Sequence, residues 1–227
     1  MVKYCMCGRF DHHSEPVDIA KAFRVDHIAV ADYKPSYNIA PAQNIVIIKD
    51  DGMRHLVQCL WGFIPSWARD TKCNPMINAR AETVAEKAAF KDAFRNHRCL
   101  VIADGFYEWM VAGRVKKPVY VRLKSRAPFG MAGLYSIRRS PEGEEICTCA
   151  IITTDANDLL MPVHDRMPVI IPREREDIWL DPKTIDKDKL MPLLVSYPSD
   201  LMECYEVSAA VNKTEFDSAD VIIPVVK

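Results

Sequence analysis

The middle of this 227-residue chain consists largely of short runs of β-branched and aromatic residues, and this pattern restricts the folds that are open to it. Such runs, when turn residues bound them, are typical of β-strands. Five of them follow one another: Cys99–Ala103, Phe106–Met110, Val119–Leu123, Met131–Leu134 and Ile146–Thr153. The sequence therefore predicts a fold built on a mostly antiparallel sheet.

A further predicted strand pair precedes these runs. Ile45–Ile48 and Leu56–Trp61 flank the turn residues Asp50–Gly52, which is typical of a β-hairpin. We predict a loop on each side of the hairpin, one at Tyr37–Gln43 and an aromatic one at Trp61–Trp67. Loops carried by a rigid sheet are where binding and catalytic residues often lie.

Helices are predicted on both sides of the strand-rich region. Ser14 is expected to cap a helix that has Pro16 in its first turn, and Glu82–His97 has apolar residues at helical spacing. Two short helices and a last strand complete the prediction: Glu174–Trp179, Asp186–Leu194 and Val221–Val226. Because the chain has no repeat and no composition break, we predict one α+β domain with a barrel-like antiparallel core flanked by short helices.

The charges of the chain nearly cancel, with 30 basic against 31 acidic side chains, so no overall field attracts it to DNA or to an anionic membrane. Any nucleic-acid surface must therefore be a local patch. No apolar run reaches the length of about 18 residues that a membrane span needs, and the N-terminus lacks the apolar stretch of a secretory signal. We expect a cytoplasmic protein, associated with the nucleoid if its source is bacterial.

The eight cysteines are scattered, and without a secretory signal their expected state is the reduced thiol. Cys147 and Cys149 lie on one face of a predicted strand, as small buried residues do. The spacing of the N-terminal cysteines and histidines matches no standard zinc pattern: Cys5, Cys7, His12 and His13. We predict no metal site and, because the sequence has no nucleotide-binding loop, no cofactor.

Four short segments combine residues that carry chemistry with glycine, arginine or proline. They are Met6–Phe10, Ile77–Thr83, Ala103–Trp109 and Val163–Pro168. Each alone is a weak signal, since a lone histidine is more often structural and a strand carboxylate is more often ordinary. Together they offer a cysteine, an asparagine, a glutamate and a histidine, which is the composition of a catalytic site.

These segments closely resemble the SOS response-associated peptidase (SRAP) family. The resemblance extends from Met6 to about Pro224 and includes further segments in the same order: Tyr37–Pro41, Trp61–Pro65, Thr153–Asn157, Val207–Ser208 and Val211–Asn212. It implies an SRAP domain over residues 7–227, with residues 1–6 as an N-terminal extension that is absent or removed in the active form. It also implies a monomer that acts on single-stranded DNA containing abasic sites.

The resemblance implies a catalytic role for four residues. Cys7 would become the mature N-terminus and react with the ring-opened aldehyde of an abasic site, forming a DNA–protein crosslink. Asn78 would position the reacting groups, and Glu108 would donate or accept the proton that helps to open the deoxyribose. His164 would assist proton transfer in formation of the Schiff base and in reversal of the crosslink, a lyase-like step.

Six further residues are assigned to DNA by the same resemblance. Arg9, Arg80 and Arg166 would hold phosphates, Trp67 would wedge against the bases, and Asn38 and Pro41 would contact the strand. The residue types fit these roles, because a guanidinium offers phosphate a planar fork of donors and aromatic stacking is tolerant of sequence. Without the resemblance, the arginines are equally interpreted as surface ion-pair partners and Trp67 as a packing residue.

An N-terminal cysteine is well suited to trap an aldehyde, because its amine forms an imine and its thiol then closes a thiazolidine ring. An α-amine with a pKa of about 7.7–8.0 is neutral in roughly a tenth to a sixth of molecules at pH 7, whereas a lysine with a pKa near 10.4 is neutral in fewer than about one in a thousand. The aromatic neighbours of Glu108 are expected to raise its pKa by desolvation, as a general acid requires.

One feature departs from the family pattern, in which the cysteine follows the initiator methionine. Here Met1–Cys5 precede Met6, so Cys7 has an amide nitrogen and cannot form a thiazolidine. Three explanations remain open. Translation starts at Met6, which is the one we favour; the protein cleaves itself before Cys7, as the peptidase designation of the family implies; or the extended form is inactive.

Two alternative functions use the same residues. In a cysteine peptidase, Cys7 would be the nucleophile, His164 the base and Asn78 the orienting group. In a non-covalent single-strand-binding module, the arginines and Trp67 would matter and Cys7 would not. The amine separates the first alternative from aldehyde trapping, since a peptidase needs only the thiol.

Overall fold

The structure is a computed structural model, and it describes residues 7–68, 74–113, 115–139 and 143–225. The predicted extension, residues 1–6, lies outside the described residues. The strands, in chain order β1 to β14, are Phe10–His12, His27–Ala29, Ser36–Ile39, Asn44–Asp50, Arg54–Trp61, Asn78–Arg80, Arg98–Ala103, Gly105–Ala112, Val115–Leu123, Phe129–Arg139, Glu145–Asp155, Arg166–Pro168, Ile170–Ile171 and Met202–Glu206. The helices α1 to α4 are Pro16–Phe23, Lys91–Asn96, Glu176–Leu180 and Lys187–Leu190.

Five strands form a closed barrel. The antiparallel order β11-β10-β7-β4-β5 returns to its start because β5 also pairs with β11, in parallel. Closure leaves none of these five strands with an open edge. The prediction of an α+β fold with a barrel-like, mostly antiparallel core is confirmed.

The barrel strands are apolar on both faces, and neighbouring residues of one strand belong to different cores. In β4, Val46 and Ile48 pack in a core with residues of the helices, whereas Ile45 and Ile47 pack in a core with residues of a second sheet. All six residues of β7 are buried. Double-sided burial explains why these runs show no regular alternation of apolar and polar residues.

The second sheet has five strands in the order β14-β9-β8-β1-β3, and it holds the N-terminal segment. β1 pairs with β8 in antiparallel register, with Phe10 opposite Phe106 and Asp11 opposite Gly105. A glycine is required at the latter position, since a Cβ atom there would lie 2.3 Å from the Tyr120 ring. The pairing carries the segment before β1 along β8, toward Glu108.

Several predicted elements differ in the structure. Ser14 does not cap α1, because its hydroxyl donates to Asp104 instead, and the N-cap position belongs to Glu15. The predicted helix over Glu82–His97 is wrong for most of its length: a 3-10 turn at Ala81–Thr83 and further turns precede α2.

Buried Arg98 fixes the C-terminal end of α2. Its guanidinium donates to the carbonyl oxygens of Phe94 and Arg95 at 2.8 and 2.7 Å, which caps the helix end, and to that of Trp179 at 2.7 Å. Tertiary hydrogen bonds therefore fix where the helix stops.

Two predictions at the ends of the chain are also wrong. The predicted loop over Tyr37–Gln43 begins as strand β3, since Ile39 pairs with Phe10 of β1. The predicted last strand is a 3-10 helix at Ala219–Ile222, followed by an isolated bridge between Val207 and Pro224. Within the described ranges, no helix is long and apolar enough to cross a membrane.

The barrel core provides a test of the fold. We expect Ile47→Ala to lower the free energy of unfolding by about 2–5 kcal/mol, because Ile47 is fully buried and truncation leaves a cavity. Ile28→Ala, on an exposed strand, should change it by less than about 0.5 kcal/mol. Urea unfolding followed by fluorescence measures both, and equal effects would contradict the assignment of Ile47 to the core.

Candidate functional site

The segment that precedes β1 places Cys7 against Glu108. The backbone N–H of Cys7 donates to Oε1 of Glu108 at 2.8 Å, and both residues are 4% exposed. Cys7 has a φ of 45°, in the left-handed region that non-glycine residues rarely adopt. The tight turn thus brings the backbone nitrogen of Cys7 to the carboxylate of Glu108.

The environment of Glu108 favours the protonated carboxyl group. Burial raises the pKa of Glu108, while the hydrogen bond from Cys7 and the charge of His164 lower it in part. The raised pKa of Glu108 agrees in direction with the effect expected from its aromatic neighbours. A raised pKa is the direction that a general acid requires.

His164 lies at the end of a turn that leads into β12. Its Nδ1 accepts a hydrogen bond from the backbone N–H of Arg166 at 3.0 Å and lies 2.9 Å from Oδ1 of Asp165. Nδ1 of His164 thus lies between a backbone donor and a carboxylate acceptor, and these contacts fix the position of the ring.

Glu108 and His164 line one cleft, of about 680 Å³, which we call the first cleft. It also contains residues from the N-terminal segment, the β8–β9 hairpin and the C-terminal region: Gly8, Arg9, Pro41, Trp109, Val111, Lys116, Val163 and Asn212. Segments far apart in sequence therefore meet at one opening beside Cys7.

Arg9 enters the first cleft from a fixed position. Its guanidinium donates to Oδ1 of Asn38 at 2.6 Å and to the carbonyl oxygen of Val211 at 2.8 Å. Asn38 is 1% exposed, and its Nδ2 donates to the carbonyl oxygens of Lys213 and Phe216 at 3.0 and 2.8 Å. Direct contact of Asn38 with DNA does not fit this burial; the side chain holds Arg9 and the C-terminal segment in place.

Asn78 and Arg80 line a neighbouring cleft, of about 540 Å³, which we call the second cleft. They lie on β6, which pairs in parallel with β11 so that Asn78 is opposite Ile151 and Arg80 is opposite Thr153. Pro41 lines both clefts and therefore stands at their boundary. The structure thus places Asn78 close to, but not within, the cleft of Glu108 and His164.

Arg166 is held by carboxylates rather than presented to solvent. Its guanidinium donates to Glu82, to Oδ1 of Asp155 at 2.7 Å and to the carbonyl oxygen of Thr153 at 2.7 Å. The residue is 8% exposed. A phosphate would have to replace one of these carboxylates to bind its fork.

Trp67 does not lie at either cleft. It is 61% exposed and borders a shallow depression with Pro65, Tyr135 and Ile137. The aromatic residue that lines the first cleft is Trp109, whose Nε1 donates to Oδ1 of Asn212 at 2.7 Å. The sequence signal for Trp109 was its position directly after Glu108 on a strand.

A cluster of possible metal ligands lies at the other end of β1. Ligand atoms of Asp11, His13 and Asp104 are within 4.8 Å of one another. Hydrogen bonds account for this arrangement, since His13 Nδ1 lies 2.7 Å from Asp11 and Asp104 accepts from the backbone N–H groups of His13 and Ser14. His13 therefore belongs to a hydrogen-bond network at the end of β1. Among the described residues, the possible ligands in this cluster include no cysteine.

Comparison with known proteins decides the family. The family model described as SOS response associated peptidase (SRAP) matches residues 6–214. The chain belongs to this family.

Its relatives include the Abasic site processing protein YoqW of Bacillus subtilis, 46% identical over 96% of this chain and 99% of that protein. The Abasic site processing protein YedK of Escherichia coli is 29% identical over 97% of this chain and 100% of that protein. A crystal structure of a protein from Bacteroides thetaiotaomicron superposes with a TM-score of 0.87 at 26% identity, covering 97% of this chain and 100% of that one.

The buried carboxyl of this SRAP protein predicts a pH dependence of stability. Because the pKa of Glu108 is raised in the folded state, its contribution to stability is present below the unfolded pKa and is lost as pH rises through the folded pKa. We expect Glu108→Gln to gain stability relative to the wild type as pH rises from about 4 to 8.

Urea unfolding at several pH values measures this difference. Glu215→Gln, which removes a carboxylate from an exposed residue, is the matched control. Identical pH profiles for Glu108→Gln and the wild type would contradict the raised pKa of Glu108.

Proposed function

We propose that this SRAP protein traps abasic sites in single-stranded DNA by forming a covalent crosslink through Cys7. The observation that carries the proposal is the contact of the Cys7 nitrogen with the Glu108 carboxylate at 2.8 Å, beside a cleft that His164 also lines. Several relatives are named abasic site processing proteins, which supports the choice of substrate.

The active form in this proposal begins at Cys7. Removal of residues 1–6 converts the backbone nitrogen of Cys7 to an α-amine, which is a far better nucleophile near neutral pH than an ordinary lysine. The amine adds to the aldehyde of the opened sugar and water leaves, giving an imine. The thiol then adds across the C=N bond, its proton passes to nitrogen, and a five-membered thiazolidine results.

Glu108 and His164 would divide the proton transfers. Protonated Glu108, next to the nitrogen of Cys7, would donate to the ring oxygen of the closed deoxyribose as the aldehyde forms. As a carboxylate, it would then accept a proton from the attacking amine. His164, which lines the first cleft beside Asp165, would assist loss of water and the reverse reaction, which releases the DNA.

Arg9 and Arg80, which line the clefts on the two sides of Pro41, would hold phosphates, and Trp109 would offer an aromatic surface within the first cleft. Base stacking contributes about 1–3 kcal/mol per base and tolerates any sequence. Arg166 would bind a phosphate only after DNA displaces Glu82 or Asp155 from its guanidinium. In the free protein, Arg166 joins three segments of the chain.

The contacts of Cys7 are compatible with amine chemistry. The acid–base group at Cys7 is a carboxylate, which accepts a hydrogen bond from the nitrogen at 2.8 Å and also interacts with the Cys7 side chain. A cysteine peptidase would use the same thiol with His164 as its base and would form no adduct with abasic DNA, so crosslinking separates the two functions. The same contact argues against a purely non-covalent binding module, for which a buried carboxylate at the N-terminal nitrogen has no use.

Crosslinking to an abasic strand tests the proposal. We expect protein that begins at Cys7 to form a heat-stable adduct with single-stranded DNA carrying one abasic site, scored on a denaturing gel. Cys7→Ala should abolish the stable adduct. Cys7→Ser keeps the amine but loses the ring-closing thiol, so its adduct should persist only after borohydride reduction of the imine. An undamaged strand and Cys204→Ala are the controls.

The outcomes separate the candidate functions. A stable adduct with Cys7→Ala would exclude the thiazolidine. No adduct in any form, together with unchanged DNA binding by Cys7→Ala, would favour the non-covalent module.

Intact-mass measurement tests the role of the extension. We expect the chain that begins at Met1 to crosslink only to the extent that residues 1–6 have been removed, because an amide nitrogen cannot form an imine. Mass spectra taken before and after reaction reveal the fraction that begins at Cys7. Crosslinking by a homogeneous Met1 form would show that the amine of Cys7 is not the nucleophile.

A further inference from the structure

The first and second clefts meet at Pro41. The second cleft is lined by apolar residues together with the cations Arg80 and Lys87. We infer that the second cleft binds an intact nucleotide next to the lesion, and that Lys87 contacts the phosphate of that nucleotide. This inference rests on the proposed function. It adds Lys87, which the family resemblance did not assign, to Arg80 and Pro41, which that resemblance gives to DNA.

The second cleft combines an apolar surface with polar groups. Its volume of about 540 Å³ falls within the range of about 300–1,000 Å³ that is usual for ligand pockets. The lining residues are Pro41, Pro75, Met76, Ile77, Asn78, Arg80, Lys87, Phe90 and Thr153. The apolar lining residues have no side-chain donors or acceptors that could distinguish one base from another. The cleft therefore suits the sugar and base of any nucleotide.

Two cations line this cleft, Arg80 and Lys87. Among the described residues, neither has an ion-pair partner within 4 Å, and both are exposed. Glu82 pairs directly with Arg166 while its charge also acts on Arg80, and Glu86 pairs with Lys187 at 3.1 Å. In the described part of the chain, Arg80 and Lys87 thus face one cleft with no carboxylate in direct contact, which fits a phosphate-bearing strand.

The backbone that carries Lys87 is fixed. Its N–H donates to the carbonyl oxygen of Thr83 at 3.0 Å, and its own carbonyl accepts from Phe90 and Lys91, each at 2.9 Å. Phe90 is buried in the core that includes the helices. Lys87 thus extends from a well-anchored turn, directly after the segment that carries Asn78 and Arg80.

Continuity with the candidate site determines which strand occupies the cleft. A strand that places its lesion beside Glu108 and crosses Pro41 enters the cleft that Asn78, Arg80 and Lys87 line. The next nucleotide along that strand is the group that would enter the second cleft. A second DNA molecule would not need the shared boundary residue.

Binding as a function of salt tests the phosphate contact of Lys87. Affinity is measured with a tetrahydrofuran analogue of an internal abasic site, which has no aldehyde and therefore cannot be trapped covalently. For single strands, log K falls by about 0.7 per log unit of salt for each phosphate contact. We expect Lys87→Ala to lower the slope by about 0.7, so that its loss of affinity is roughly threefold larger at 50 mM than at 200 mM salt.

Two matched variants control this measurement. Lys91→Ala removes a neighbouring exposed lysine that does not line the cleft, and it should leave the slope unchanged. Lys87→Arg should keep it. Equal slopes for Lys87→Ala and Lys91→Ala would overturn the inference, provided that thermal unfolding shows Lys87→Ala to be folded.

Strands with a terminal lesion identify the nucleotide. An abasic site at the 5′ end lacks one flanking nucleotide and a site at the 3′ end lacks the other. We expect the effect of Lys87→Ala to vanish with one of these two strands and to persist with the other. An effect of the same size on both, and on the internal lesion, would overturn the assignment to a flanking nucleotide.

The failure of this inference is distinguishable from that of the proposed function. If protein that begins at Cys7 crosslinks to abasic DNA but Lys87→Ala behaves as Lys91→Ala does, only the subsite is wrong. If no crosslink forms at all, the proposed function is wrong, whatever the slopes are.

Discussion

The pairing of β1 with β8 is the constraint on which the candidate site depends. β1 has only three residues, yet it is held on both sides, by β8 and by β3. Register matters because a slip of one residue turns every side chain of a strand to the opposite face. With Phe10 opposite Phe106, the turn at Cys7 reaches Glu108; in any other register, the carboxylate and the nitrogen of Cys7 would not meet.

The C-terminal segment completes the site from the other side. A 3-10 helix at Ala209–Asn212 supplies the carbonyl oxygen of Val211 to Arg9 and the side chain of Asn212 to Trp109. The walls of the first cleft are thus fixed by hydrogen bonds between residues about a hundred or two hundred positions apart in sequence. Such a site is preorganised by the whole fold rather than by one loop.

Sequence pattern predicted the barrel strands and the mixed α+β class, because double-sided burial demands runs of apolar, β-branched residues that stand out locally. It failed for the first part of the helix at Glu82–His97, where apolar spacing is present but the chain forms turns before α2 begins at Lys91. It also could not show that Asn38 is buried or that Trp67 and Trp109 lie at different surfaces. Those facts depend on distant partners, which no local pattern contains.

A nearly neutral chain can still present a local surface to DNA if its cations are unevenly paired. Three arginines donate hydrogen bonds to carboxylates and carbonyl oxygens within the protein and so stabilise the fold: Arg166, Arg98 and Arg54. Within the described residues, Arg80 and Lys87 have no carboxylate in direct contact, and they face the same cleft. In the proposed function, attraction for phosphate would therefore arise from which charges the fold leaves exposed, and not from net charge. A surface of this kind holds a strand weakly over a short length, so selectivity for a lesion would come from the reaction at Cys7 rather than from affinity for DNA.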